Sequence, residues 1–196
     1  MKSPVLAATE RTIMDLYPNH LAEWARSDVE NAIRERVRTI YLGNGVMLAR
    51  VLGRHKMFLR SSDRGFGCHL MMDGFWEIWL TQFFARYLKP GMNVIDVGAN
   101  FGYYTLLFAD AVGPSGSVIA VEPNPDTLTL LRETVALNGI QSRTQILPHA
   151  LRARRGRCGR GHLRPGGGFQ AHCAVFHKGG TSLAHDPETI AQTAAF

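Results

Sequence analysis

The residues best suited to chemistry are two acids, Asp96 and Glu122. They stand 26 residues apart, each at the end of a short apolar run. The first is followed by a loop that reads Asp96-Val97-Gly98-Ala99-Asn100-Phe101-Gly102. An acid at the carboxyl end of a strand lies where open α/β sheets bind their ligands. Gly98 and Gly102 let the backbone turn sharply and approach a ligand closely. The loop has no Lys or Arg, and the chain has no Gly-Lys-Ser/Thr, which excludes a P-loop. Asn100 stands where a dinucleotide fold needs the second glycine of its fingerprint, and its side chain would crowd a pyrophosphate, which disfavours NAD. A phosphate-free ligand carrying an amine, a sulfonium and a ribose suits the loop better. Glu122 can then accept hydrogen bonds from both ribose hydroxyls. The bland alternative for both acids is strand-end capping.

The surrounding pattern supplies the elements that must position these acids. Met92 to Val97 reads as a buried strand and Tyr103 to Val112 as a helix, and Gly113-Pro114-Ser115-Gly116 makes a turn into a second strand, Ser117 to Val121. Asn124 caps the next helix, with Pro125 at its first position, where a missing N–H costs nothing. Leu128, Leu131 and Val135 line its inner face, Asn138-Gly139 ends it, and Thr144 to Leu147 reads as a third strand. This is a doubly wound α/β pattern. Upstream, Ser27-Asp28-Val29-Glu30 has capping-box form and opens a helix carrying Ala32, Ile33 and Val37. Thr39 to Leu42 and Val46 to Leu52 flank Gly43-Asn44-Gly45, a hairpin signal, and Met57 to Leu59 adds a strand. Trp76, Trp79, Leu80, Phe83, Phe84, Tyr87 and Leu88 recur at helical spacing up to Lys89-Pro90-Gly91, which predicts a helix packed on the sheet.

The run VIDVGANFGYYTLLFADAVGPSGSVIAVEPNPDTLTLLRETVALNGI resembles the core of the FkbM family of S-adenosylmethionine-dependent methyltransferases. The likeness rests on the D-x-G-A-N-x-G loop, the Tyr-Thr after it, E-P-N after the second strand and L-N-G at the helix end. DGFWEIWLTQFFARYLKPG, just upstream, is also similar to family sequence. The likeness covers about Asp73 to Ala150 and implies a Rossmann-like class I methyltransferase fold that binds S-adenosylmethionine. It implies methyl transfer to an oxygen of a small molecule or sugar. By the same resemblance, Asp96, Gly98, Asn100 and Gly102 form the methionine-side loop, Glu122 holds the ribose, and Pro123 and Asn124 shape its surroundings. Glu77 matches the family's aromatic-Glu pair and either reaches the cofactor's amine or occupies a solvated helix position. His149 sits beside the expected adenine pocket, a position where a histidine is more often bland than catalytic. No residue stands out as the catalytic base.

The whole chain divides into three. Residues 1–72 form a helical and β-hairpin extension, 73–151 the cofactor-binding half-domain, and 152–196 an Arg/Gly-rich tail. Formal charge is +6, yet residues 1–150 hold 15 Lys+Arg against 14 Asp+Glu, while 151–196 hold 7 against 2. The basicity belongs to the tail. From Arg152 to Gly168 the periodicity stops, where a doubly wound domain should enter its later strands. The fold is therefore expected to be C-terminally incomplete, with 152–180 forming no regular core structure and activity weak or absent. A GC-rich gene read in a shifted frame yields such Arg, Gly, Pro, His and Cys. Rival readings are a disordered tail, an Arg/Gly nucleic-acid binder, disfavoured because Phe169 is the only aromatic near the cluster, and a metal site of Cys158-x3-His162 and Cys173-x3-His177, for which no hydrophobic framework is visible. For the whole protein, a non-catalytic cofactor-fold binding protein is the main rival to an enzyme. The odd cysteines Cys68, Cys158 and Cys173 do not read as a disulfide framework. No run of eighteen apolar residues spans a membrane, and the N-terminus lacks a signal peptide's apolar core, which predicts a cytoplasmic protein without metal or membrane partners.

Overall fold

The computed structural model describes residues 15–150 and the backbone of 172–176. Two short helices open it, α1 (Pro18–Glu23) and α2 (Arg26–Arg36). An antiparallel meander follows: β1 (Thr39–Gly43), β2 (Val46–Val51) and β3 (His55–Arg60), in that spatial order. The turn between β1 and β2 uses left-handed backbone at Asn44 (φ 50°) and Gly45 (φ 71°), as the Gly-Asn-Gly signal requires. Helices α3 (Phe66–Met72) and α4 (Ile78–Tyr87) lead into the doubly wound half.

That half alternates β4 (Asn93–Val97), α5 (Tyr103–Val112), β5 (Ser117–Val121), α6 (Pro125–Leu137) and β6 (Thr144–Leu147). β4, β5 and β6 pair in parallel with β5 central, and residue 94 stands opposite 118. This is the Rossmann-like arrangement expected from the pattern. Every residue of α5 except Asp110 is buried, which explains why its sequence is apolar all round.

Four expectations are corrected. α2 starts at Arg26 with Ala25 as its cap, so Ser27 sits inside the first turn and makes no cap hydrogen bond. Glu30 instead pairs with Arg26 at 2.7 Å and Arg34 at 3.4 Å along the helix. Trp76 lies before α4, not in it. The aromatic stripe of α4 does not pack on the sheet: Trp79, Phe83 and Tyr87 are 59%, 51% and 52% exposed. The helix buries Ile78, Thr81, Gln82, Phe84 and Ala85 instead, against α1, α2 and α5. Polar Thr81 and Gln82 can take inward positions because partners await them. Thr81 Oγ1 meets the Trp76 carbonyl and the Tyr103 hydroxyl, and Gln82 Nε2 donates to the carbonyls of Leu21 and Trp24. Counting apolar residues alone hides such a face. Finally, the stretch expected to lack regular structure contributes β7 (His172–Phe176), antiparallel to β4 on the side away from β5. Val175 and Phe176 in it are residue types favoured in strands. The remaining expectations for 152–171 and 177–196, and for Cys158, His162 and His177, lie outside the described residues.

The meander is fastened to the doubly wound half by side chains that complete backbone bonds. Asn138, at the end of α6, accepts from the Lys56 amide at 3.1 Å and donates to the Lys56 carbonyl at 2.6 Å and the Thr134 carbonyl at 2.7 Å. Thr134 Oγ1 accepts from the Phe58 amide at 3.1 Å. Asp110 of α5 holds both Arg54 and His55, at 2.9 and 3.0 Å. The Asn of L-N-G thus does more than end a helix: it joins α6 to the meander. Asn138→Ala removes partners from both polar groups of Lys56 and should lower unfolding free energy by about 1–3 kcal/mol, read from the denaturant midpoint. A loss below a few tenths of a kcal/mol would mean that the joint is held by apolar packing alone.

Candidate functional site

The loop between β4 and α5 is shaped by backbone bonds before any side chain acts. The amides of Gly98 and Ala99 both donate to the Val121 carbonyl, at 2.9 and 3.0 Å, and carry the β4 exit across the end of β5. Gly102 donates to the Ala99 carbonyl at 2.8 Å and starts α5 with φ 105°. A Cβ there would stand 2.9 Å from Leu131 Cδ1, so both conformation and space call for glycine. Asn100 is also left-handed, at φ 51°, a conformation that asparagine tolerates better than most residues.

Glu122 binds this loop to the next one. The residue is 7% exposed, and its carboxylate oxygens accept from the Asn100 amide at 3.0 Å and the Asn124 amide at 2.8 Å. Asn124 in turn caps α6, accepting from the Asp126 amide at 3.0 Å and the Thr127 amide at 3.5 Å. Three of the expected site residues are therefore directly linked at the carboxyl ends of β4 and β5.

Asp96 is fully buried in β4 and accepts from the Thr105 hydroxyl at 2.6 Å. Burial pushes its carboxyl up to about 6, and the nearby Glu122 charge adds to the rise, while the Thr105 hydrogen bond opposes it. Asp96 therefore acts inside the fold, fixing the first turn of α5 against β4. Glu77 is left-handed, at φ 39° and ψ 61°, just before α4. It is partly buried, and its carboxylate accepts from the Tyr104 hydroxyl at 3.1 Å. A non-glycine residue held in this region needs a reason in its surroundings, and the bond to α5 supplies one. Tyr104 and Thr105, neighbours in the first turn of α5, thus tie Glu77 and Asp96 to one helix end. They are the residues whose roles the sequence did not reveal. Their position directly after the glycine loop was the available signal. Tyr103, fully buried, bonds Thr81 at 2.9 Å, and burial raises its phenol well above the usual range. His149 is exposed two residues beyond β6. Among the described residues no group of three or more His, Cys, Asp or Glu could hold a metal ion.

The parallel β6-β5-β4 order and the acids at the ends of β4 and β5 make a Rossmann-like arrangement. More narrowly, residues 96–183 match the Methyltransferase FkbM domain, the family that the sequence resembles, and the match continues through much of the Arg/Gly-rich segment. The chain is 43% identical over 49 residues to a protein-L-isoaspartate O-methyltransferase of Triticum aestivum, covering 25% of this chain and 21% of that protein. It is 38% identical over 68 residues to a demethylmenaquinone methyltransferase of Symbiobacterium thermophilum, covering 34% and 27%. The chain thus spans about a quarter of the length of these curated relatives. Among solved structures, it is similar to Pyrococcus horikoshii TYW2 in complex with MeSAdo, at TM-score 0.45 and 24% identity, covering 59% of this chain and 40% of that one. A protein-L-isoaspartate O-methyltransferase structure matches at TM-score 0.38 and 17% identity, covering 68% and 42%. No helix among the described residues is long and apolar enough to cross a membrane.

Asp96 gives the site a pH signature. A carboxyl whose folded pKa lies near 6, above the ordinary 3.8 of an aspartate, favours the fold while protonated. That contribution is complete below about pH 3.8 and is lost as pH rises through about 6. Relative to Asp96→Asn, the wild type should therefore lose stability between about pH 4 and 6, by on the order of 1–3 kcal/mol. Parallel pH profiles of unfolding free energy for the two proteins would contradict this.

Proposed function

We propose that this chain binds S-adenosylmethionine at the carboxyl ends of β4 and β5 and transfers its methyl group to an oxygen of a small molecule or sugar in the cytoplasm. The supporting observation is the buried Glu122 carboxylate, fixed by the Asn100 and Asn124 amides. A carboxylate oxygen offers two acceptor positions, so each retains capacity for a ribose hydroxyl after its amide bond. Two acids, Glu77 and Glu122, with no cation in the 96–102 loop, suit a ligand bearing an ammonium, a sulfonium and a ribose diol rather than phosphates. When bound, the cofactor supplies an electrophilic methyl on sulfur. The chain's own part is to hold it: Glu122 on the ribose, Glu77 on the amine, Gly98, Asn100 and Gly102 shaping the loop, and Asn124 anchoring its far side. Asp96 supports that loop through Thr105.

Calorimetry tests the reading. S-adenosylhomocysteine should bind and raise the melting temperature, and NAD should do neither. Glu122→Ala should weaken binding by about 1–3 kcal/mol, the scale for hydrogen bonds to a charged group. Equal affinity for the mutant and wild type would remove Glu122 from the site. Glu77→Gln should weaken S-adenosylmethionine more than adenosine, which lacks the amine; equal losses would place Glu77 elsewhere. Methyl transfer is then sought from labelled S-adenosylmethionine to hydroxylated small molecules and sugars. Cofactor binding with no transfer to any of them would favour a binding protein.

A further inference from the structure

The outer face of the meander carries a charge pattern that the site above does not use. Residues 36–62 hold six Lys or Arg and no Asp or Glu. Three of these cations have partners: Arg36 donates to the Ala32 carbonyl, Arg38 to the carbonyls of Glu35 and Val37, and Arg54 pairs with Asp110. The other three, Arg50, Lys56 and Arg60, have no ion pair or side-chain hydrogen bond among the described residues. Strand alternation puts all three on one face, because Ala49 and Val51 of β2 and His55, Met57 and Leu59 of β3 are buried on the other. Arg50 stands directly opposite Lys56, and both backbone polar groups of Lys56 turn away from β2 to Asn138. The two therefore form a non-hydrogen-bonded pair, the closer kind, in which like charges oppose the fold. The register also sets Ile40, Leu48 and Phe58 in one row across the three strands, with Arg50 and Lys56 on one side of it and Arg60 on the other. Each flank lies about 7 Å from the row along the strands.

We propose that this face binds a single strand of nucleic acid, with phosphates on the Arg50–Lys56 pair and on Arg60 and a base between them on Phe58. Charge complementarity selects the occupant. An anion laid over two opposed cations turns their repulsion into two charge-assisted contacts. A polymer that alternates phosphates with flat rings matches a face that sets an apolar row between cations. A lipid surface would also neutralise the cations, but it takes up apolar side chains that reach past the charged layer. Leu48 and Phe58 are half-buried and lie between the cations instead. The face is separate from the loop site. Asn138 fixes Lys56 at one end of α6, whereas Asn124, bonded to Glu122, stands at the other. The 13 residues of helix between them span about 20 Å. The proposal therefore stands apart from the methyl-transfer reading.

The test uses the full 196-residue chain and fluorescently labelled single-stranded RNA and DNA oligonucleotides. Three phosphate contacts contribute about −2 to the slope of log affinity against log salt, roughly a twentyfold loss between 50 and 200 mM. Arg50→Gln, Lys56→Gln and Arg60→Gln should each weaken binding and flatten the slope by about 0.7. Phe58→Leu, with unchanged circular dichroism, should weaken binding and leave the slope as it is. Lys56→Glu should remove the binding yet raise the melting temperature of the free chain, because it gives Arg50 an opposite charge across the strands. Replacing Arg154 and Arg155 of the tail by Gln should leave the binding in place. An absence of oligonucleotide binding at the lower salt would overturn the proposal. So would binding that the tail substitutions remove and the Arg50, Lys56 and Arg60 substitutions spare, or binding to phosphatidylserine vesicles with none to oligonucleotides. Lys56→Glu that lowers the melting temperature and leaves binding intact would overturn it as well.

Discussion

Glu122 accepts hydrogen bonds from two backbone amides that belong to different loops, one after β4 and one after β5. That pair of bonds ties together the two loops at this end of the sheet, next to the Gly98 and Ala99 amides that hold the Val121 carbonyl. Asn100 is held left-handed in a loop with two glycines, and Asn124 caps α6, so one shared acceptor links the two loops. A carboxylate accepting two backbone amides in a buried position is a strong and geometrically specific anchor. It also concentrates negative charge in the site, which contributes to the raised pKa of Asp96 one strand away. The same interaction therefore shapes the loop, sets the electrostatics and leaves acceptor capacity for a ligand.

A second layer of polar contacts ties this anchor to the rest of the chain. Tyr104 and Thr105 leave consecutive positions of α5 toward Glu77 and Asp96, so one helical turn fixes both acids. Farther along, Asp110 holds Arg54 and His55, and Asn138 completes the backbone of Lys56. The helices of the doubly wound half thus reach outward to the N-terminal meander through side chains at their ends. The extension is a structural partner of the doubly wound half, joined to it at both α5 and α6.

Much of this was legible. The limits of α5, β5 and β6 follow the apolar periodicity, because parallel strands and their crossovers bury nearly every residue and leave a plain pattern. Asn124-Pro125 announced a cap, and Gly-Asn-Gly announced a turn, because both depend on local chemistry. The acids Asp96 and Glu122 stood out by their places at strand ends. What was hidden depended on distant partners. Nothing local says that Gln82 faces inward, since its reason lies in the carbonyls of Leu21 and Trp24 some sixty residues earlier. The same choice of face turned Trp79, Phe83 and Tyr87 outward. Nor does spacing reveal that Glu77 abandons the helix for a left-handed conformation and meets Tyr104. The antiparallel β7 was missed because its short apolar run stands in a stretch dominated by Arg and Gly.

The central claim is that the Glu122 clamp is itself the floor of the cofactor site. The most direct measurement is an amide-resolved NMR titration of the chain with S-adenosylhomocysteine. The Asn100 and Asn124 amides, both bonded to Glu122, should shift together and saturate at one dissociation constant, and NAD at equal concentration should leave them in place. Resonances elsewhere moving on addition of S-adenosylhomocysteine while these two amides stay unchanged would contradict the account.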